Sequence, residues 1–277
     1  MTNQIDIPAG AKIKVVGVGG GGSNAVSRMY KERMPSVEYL VINTDKQALL
    51  RCDVPLRISI GDQLTEGKGV GGNPEKGAQA ANESREQLFE SLSEVDMVFV
   101  AAGMGGGTGT GAAPAIAEIA KQTGALTVGI VTTPFHFEGT RRMKNAVEGI
   151  EKLKANVDTL LIIPNERLSR ICDEEITTQN AFDMADDVLK LGVQSIAELV
   201  TLPGEINLDF ADIKAIMENS GPAWMSIGYG SGENRAKEAA HQAISNPLLD
   251  ISVEEATGVL FNVTGGTDLK LSELNEA

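Results

Sequence analysis

The stretch Ala101–Gly111, AAGMGGGTGTG, places six glycines and two threonines in eleven residues. It follows the apolar run Val95–Val100, which reads as a buried strand. It leads into AAPAIAEIA at 112–120, which reads as a helix with Pro114 in its first turn. A strand, a glycine loop and a helix N-terminus together form an anion site. Glycines let the backbone approach a ligand, N–H groups point at it, and the helix dipole favours negative charge. A tight turn alone would not need six glycines. The stretch therefore predicts a phosphate cradle at the end of a strand.

The rest of the chain repeats that grammar. Strands are expected at Lys12–Val18, Val37–Asn43, Leu56–Ile60, Leu126–Thr132 and Val157–Pro164. Helices are expected after Asn24 through Tyr30, from Pro74 to about Leu92, and over Glu138–Ala155, with a loop at Gly61–Gly77. Strands alternating with helices of this length indicate parallel βαβ units in a doubly wound α/β sheet. Ligands of such sheets bind at the carboxyl ends of the strands, where every glycine loop of this chain falls.

From Thr178 to Leu202 the pattern becomes one long helix, with Phe182, Ala185, Leu189, Val193, Ile196 and Val200 stepping by three or four. At 1.5 Å per residue it spans on the order of 35 Å. Pro203-Gly204 stops it. Beyond lie an expected helix at Phe210–Asn219, a strand at Ala223–Gly230, a helix at Glu233–Ile244 and a strand at Gly258–Thr264. The predicted organisation is a nucleotide-binding domain at 1–177, a central helix at 178–202 and a smaller α+β unit at 203–277. That last unit looks incomplete, because two strands make a marginal sheet.

Composition narrows the classes. The net charge of −14 over 277 residues, with no basic block, argues against nucleic-acid binding and against attraction to anionic lipid. Two cysteines, Cys52 and Cys172, suggest neither a disulfide framework nor a zinc site. No apolar run approaches a membrane span, and the N-terminus lacks a signal-peptide core, so a soluble intracellular protein is expected.

Three constellations carry chemistry. Gly17, Gly19 and Gly22 fit G-x-G-x-x-G, and Asp45 ends the second strand, which is the dinucleotide fingerprint in its usual context. An NAD-type oxidoreductase is therefore a competing reading. Against it, the chain has three glycine loops, near Gly19–Gly22, Gly71–Gly72 and Gly103–Gly111, which suits a longer phosphate chain. No Walker A loop is present, since the stretch from Gly61 to Gly69 has the wrong spacing and no Ser or Thr after Lys68. The second constellation is Asn207, Asp209 and Asp212 after the long helix. These residues either cap a helix or polarise a water, and the long helix separates them from the loops, unless they serve a neighbouring molecule. In the third, Glu138 and Arg142 read as a surface ion pair or as contacts near a ribose. Phe182 and Asp186 read as core and solvated acid, or as a face and an acceptor for guanine. His136 and His241 read as incidental.

These residues also carry a resemblance. The segments VGVGGGGSNAV (16–26), VINTD (41–45), AAGMGGGTGTGAAP (101–114), TTPFHFEGTRR (132–142) and NLDFADIKAIM (207–217) are similar to those of the tubulin/FtsZ-like GTPases, over about Ile13–Leu271. The resemblance implies a GTP-binding domain, a long central helix and a C-terminal domain. It implies that Gly20, Gly21, Gly22, Ser23 and Asn24 line one phosphate loop and Gly71 and Gly72 another. Gly107, Thr108 and Gly109 would hold the terminal phosphates. Glu138 and Arg142 would lie at the ribose, and Asn165, Phe182 and Asp186 around the guanine. It further implies GTP or GDP with Mg²⁺ held through the phosphates, and hydrolysis completed in trans by Asn207, Asp209 and Asp212 of the next subunit of a head-to-tail filament. The implied setting is cytoplasmic, at the mid-cell division site. Membrane-tethering and regulatory division proteins would bind mainly through a C-terminal tail. The family's C-terminal domain continues with two further strands, a linker and that short peptide, so the chain reads as a C-terminal truncation.

Overall fold

The computed structural model describes residues 10–34, 36–171, 177–202, 209–245 and 256–277. In chain order the elements are β1 (Ile13–Val18), α1 (Gly19–Lys31), β2 (Val37–Asn43), α2 (Lys46–Leu50), β3 (Leu56–Ser59), α3 (Asp62–Thr65), α4 (Pro74–Glu83) and α5 (Arg85–Leu92). There follow β4 (Met97–Gly103), α6 (Thr108–Gln122), β5 (Leu126–Thr133), a 3₁₀ turn at His136–Glu138, α7 (Thr140–Lys154), β6 (Thr159–Pro164) and α8 (Asn165–Ile171). The remainder comprises α9 (Thr178–Thr201), α10 (Phe210–Met217), β7 (Gly221–Ala223), α11 (Arg235–Ile244) and α12 (Leu271–Glu276).

All seven strands form one parallel sheet in the order β3-β2-β1-β4-β5-β6-β7. Parallel strands covered on both faces read as continuous apolar runs. Accordingly every residue of β1 is buried, as is β4 from Met97 to Ala102. Alternate side chains divide the core into two layers. Val16, Val18, Val98 and Val100 meet α4–α7 through Ala80, Leu88, Ile116, Ile119 and Leu153. Ile13, Val15, Met97 and Phe99 meet α1, α9 and α10 through Val26, Met29, Leu189, Val193, Ile213 and Met217. The strand order reverses at β1 and β4, and the crevice at their carboxyl ends is the binding position of such sheets.

Four local differences from the sequence reading have physical causes. The helix expected from Pro74 to Leu92 is broken at Ser84, whose hydroxyl accepts from the Gly61 N–H (3.2 Å). The loop before it contains α3, because Glu83 accepts from the N–H groups of Gln63 and Leu64 (3.0 and 3.2 Å) and so caps that turn. Pro114 lies inside α6 rather than in its first turn, because the helix already starts at Thr108. The two expected C-terminal strands do not pair with each other. Gly221–Ala223 joins the main sheet beside β6, and 224–230 and 258–264 are not strands. An isolated two-strand ribbon has too little apolar cover to hold its own backbone hydrogen bonds.

Candidate functional site

Two helix N-termini stand side by side at the switch point. The first four N–H groups of a helix have no partner within it. In α1 these belong to Gly19–Gly22, and in α6 they begin at Thr108. The loops touch through bare backbone. A Cβ on Gly21 would lie 3.4 Å from the Gly103 Cα, and one on Gly22 would lie 2.2 Å from the Ala101 carbonyl oxygen. The third loop closes from the other side, where a Cβ on Gly107 would meet Val70 Cγ2 at 2.5 Å and the Gly72 carbonyl carbon at 3.1 Å. Gly71 and Gly72 both have positive φ (57° and 75°) and border open space. They are fixed by Asn73, whose Oδ1 accepts from the N–H groups of Glu75 and Lys76 (2.9 and 3.2 Å) and opens α4.

The three loops expected from the sequence thus converge, and their members divide in role. Gly20, Gly21 and Asn24 are exposed, and a Cβ on Gly20 would meet nothing within 4 Å. Gly22, Gly107 and Gly109 are close-packing positions: a Cβ on Gly109 would lie 2.6 Å from the Gly103 carbonyl oxygen. Ser23 follows Gly22 in α1. Its side chain is buried and without a hydrogen-bond partner. Thr108 is buried and its hydroxyl pairs with the Thr44 hydroxyl at 2.7 Å. Thr44 was not singled out from the sequence, although its place directly after β2, at a strand's carboxyl end, was the available signal.

Past β5 the chain turns through Phe135 and the 3₁₀ segment. Glu138 accepts from the Phe135 N–H (3.0 Å) and pairs with Arg142, so the expected ion pair forms. It is not a plain surface pair, since the Glu138 side chain is only 10% exposed while Arg142 is 56% exposed. His136, read as incidental, bonds Glu166 of α8 through both its backbone N–H and its ring (3.1 Å each).

Further along the same rim lie the residues assigned to a base. Phe182 on α9 stands edge-on to Phe135 (5.5 Å) and Phe137 (6.2 Å), which stack on each other at 5.2 Å. Such geometry contributes beyond area burial. Phe137 is nonetheless 65% exposed. Asn165, the first residue of α8, is buried, and its side-chain oxygen has no hydrogen-bond partner. A buried orphan of that kind is costly unless a ligand satisfies it. One turn beyond Phe182, Asp186 is pushed up to about pKa 7 by burial. Arg28 opposes this shift, while Asp183 and Asp187 add to it.

Asp45 is otherwise engaged. Its Oδ1 accepts from the N–H groups of Gln47 and Ala48 (2.8 and 3.1 Å), capping α2. The carboxylate a dinucleotide reading needs for a ribose thus serves as a helix cap through Oδ1.

Asp209 and Asp212 lie elsewhere. Phe182 at the start of α9 sits at the loop end of β5, and Gly192 packs over Ile130 in mid-strand. Thr201 is thus at the opposite end of the sheet. From there α10 runs to Met217, whose carbonyl accepts from Thr159 at the start of β6 (2.6 Å). Asp209 and Asp212 are exposed at the start of α10 and cap it reciprocally, Asp209 accepting from the Asp212 N–H at 2.8 Å and Asp212 from the Asp209 N–H at 3.4 Å. Asn207 falls outside the described residues.

With this geometry in place, similarity to known proteins is decisive. Residues 12–173 match the Tubulin/FtsZ family, GTPase domain, and residues 221–277 match the FtsZ family, C-terminal domain. The chain belongs to the tubulin/FtsZ family. Among solved tubulin/FtsZ structures, the empty FtsZ dimer of M. jannaschii is 49% identical with a TM-score of 0.91, over 97% of this chain and 78% of that one. The GDP-bound CetZ1 monomer of Haloferax volcanii is 26% identical with a TM-score of 0.71, over 85% of this chain and 74% of that one. Family membership makes this a GTP-binding protein of a GTPase family. Among the described residues no helix is long and apolar enough to cross a membrane.

Proposed function

We propose that this chain hydrolyses GTP only in a head-to-tail filament, where Asp209 and Asp212 of one copy complete the cradle of the next. The observation that supports this reading is the placement of the two halves at opposite ends of the sheet, with a 24-residue helix between them. Positioning and charge stabilisation carry most of phosphoryl transfer. The free N–H groups of α1 and α6 would bind and orient the phosphates and favour charge developing on them. Asn165, Phe182 and Asp186 would fix the base, and Glu138 with Arg142 the ribose. The remaining carboxylate capacity of Asp209 and Asp212, with Asn207, would hold and polarise the attacking water. A head-to-tail contact does not close on itself and so extends into a filament.

In this reading residues 1–177 bind nucleotide, 178–202 span the molecule and 203–277 supply the carboxylates. Among the described residues no cluster of three or more His, Cys, Asp or Glu could hold a metal ion. Mg²⁺ would be held through the phosphates, with the Thr108 hydroxyl beside them, and would add charge neutralisation. The cellular role is that of a cytoplasmic division filament at mid-cell, tethered by partner proteins through a C-terminal tail. GTP turnover per molecule should rise steeply with protein concentration before levelling off. Turnover per molecule that stays constant on dilution contradicts the proposal.

A further inference from the structure

Arg28 projects from α1, the helix that opens with the first phosphate loop, and meets α9 across the core. Its Nε lies 3.3 Å from Asp186 Oδ2, and its Nη2 pairs with Asp183. Gln179, one turn earlier on α9, also donates to Asp183 (3.0 Å), so that carboxylate is held from two sides. The Asp186 side chain is only 15% exposed, and no hydrogen bond to its Oδ1 forms among the described residues. The carboxylate thus has one oxygen on a cation and one free to accept.

We propose that Arg28 is a positioning residue for guanine selection: it favours the ionised form of Asp186 and orients the carboxylate so that Oδ1 accepts from the base. This rests on the reading of Asp186 as the base acceptor. Guanine presents N1–H and N2–H₂ as donors; an ionised carboxylate accepts only and strongly, whereas a neutral one carries an O–H that must donate and accepts more weakly. Buried carboxylates tend to neutralise, which weakens that acceptance. The charges acting on Asp186 are Arg28 from α1 and Asp183 and Asp187 from α9, so Arg28 is the one cation among them. On α8, which also packs on α9, Glu166 and Arg167 have partners of their own. An arginine suits the position because its fork serves two carboxylates at once. The same side chain ties the phosphate helix to the base helix, so base and phosphate recognition share a part.

The test compares GDP with IDP, which lacks the N2 amino group, by calorimetric titration of the full chain from about pH 5 to about pH 8. The ratio of the two affinities cancels effects of pH on the phosphates. In the wild type the ratio should fall toward one as pH drops and Asp186 takes up its proton. In Arg28→Gln that fall should move upward by roughly one pH unit or more. Arg28→Lys keeps the charge and should return it toward the wild-type position, which a loss of packing alone would not do. An Arg28→Gln protein with the wild-type ratio and midpoint overturns the proposal. Asp186→Asn separates the two readings. If it leaves the ratio intact, the base assignment fails. If it removes the ratio while Arg28→Gln changes nothing, only the role of Arg28 fails.

Discussion

A Cβ on Gly22 would sit 2.2 Å from the carbonyl oxygen of Ala101, whereas one on Gly20 would meet nothing within 4 Å. Gly22→Ala should therefore destabilise the nucleotide-free protein by about 1–3 kcal/mol, as overpacking against backbone does. Gly20→Ala should leave the melting temperature unchanged and weaken nucleotide binding instead. Thermal melts of the two variants check this; equal melts contradict it. Asp186 carries a second residue-scale prediction. Its folded pKa, raised by burial to about 7, exceeds the ordinary aspartate value of 3.8. The native state thus holds the proton more tightly than the unfolded chain, and this contribution is fully present below the unfolded value and lost as pH rises through the folded one. Denaturant midpoints at acid and mildly alkaline pH should show Asp186→Asn relatively more stable on the alkaline side. The ionised carboxylate that the proposed guanine contact requires costs stability.

At the scale of elements, most was legible where periodicity decides. Apolar runs and 3.6-residue stripes placed β1, β2, β4, β5, β6 and the long helix α9 within a few residues. What could not be read were features set by contacts distant in sequence. Ser84 breaks a helix through a bond to Gly61, and Glu83 caps a turn twenty residues upstream. The terminal strands failed because a strand exists only with a neighbour, and alternation in 258–264 supplies none. The site divided the same way. Its glycine loops lay on the sequence surface, while the Arg28–Asp186 contact spans two helices and left no local trace. Asp45 supplies the prediction here. As a cap of α2 it should be replaceable by Asn, an equally good cap, with stability and GDP affinity retained. Asp45→Ala should cost about 1 kcal/mol. Loss of nucleotide binding in Asp45→Asn would instead mark the carboxylate as a ligand contact.

For the whole molecule, the proposed function divides one chemistry between two ends. The carboxyl ends of the strands collect three loops and the Phe135–Phe137–Phe182 cluster, and the other end presents Asp209 and Asp212 in a reciprocal cap. Capping and catalysis are compatible there, since each carboxylate retains oxygen lone pairs beyond those used by the cap. The most direct measurement is complementation between two defective chains. Asp212→Ala keeps the cradle and lacks the acid; Gly20→Glu keeps the acid and sets a negative charge in the cradle. Each alone should release phosphate from GTP at background rate. Mixed in equal amounts, they should recover turnover, because the cradle of the first meets the carboxylates of the second. Persistent inactivity of the mixture, or wild-type turnover by Asp212→Ala alone, would contradict a site shared between molecules.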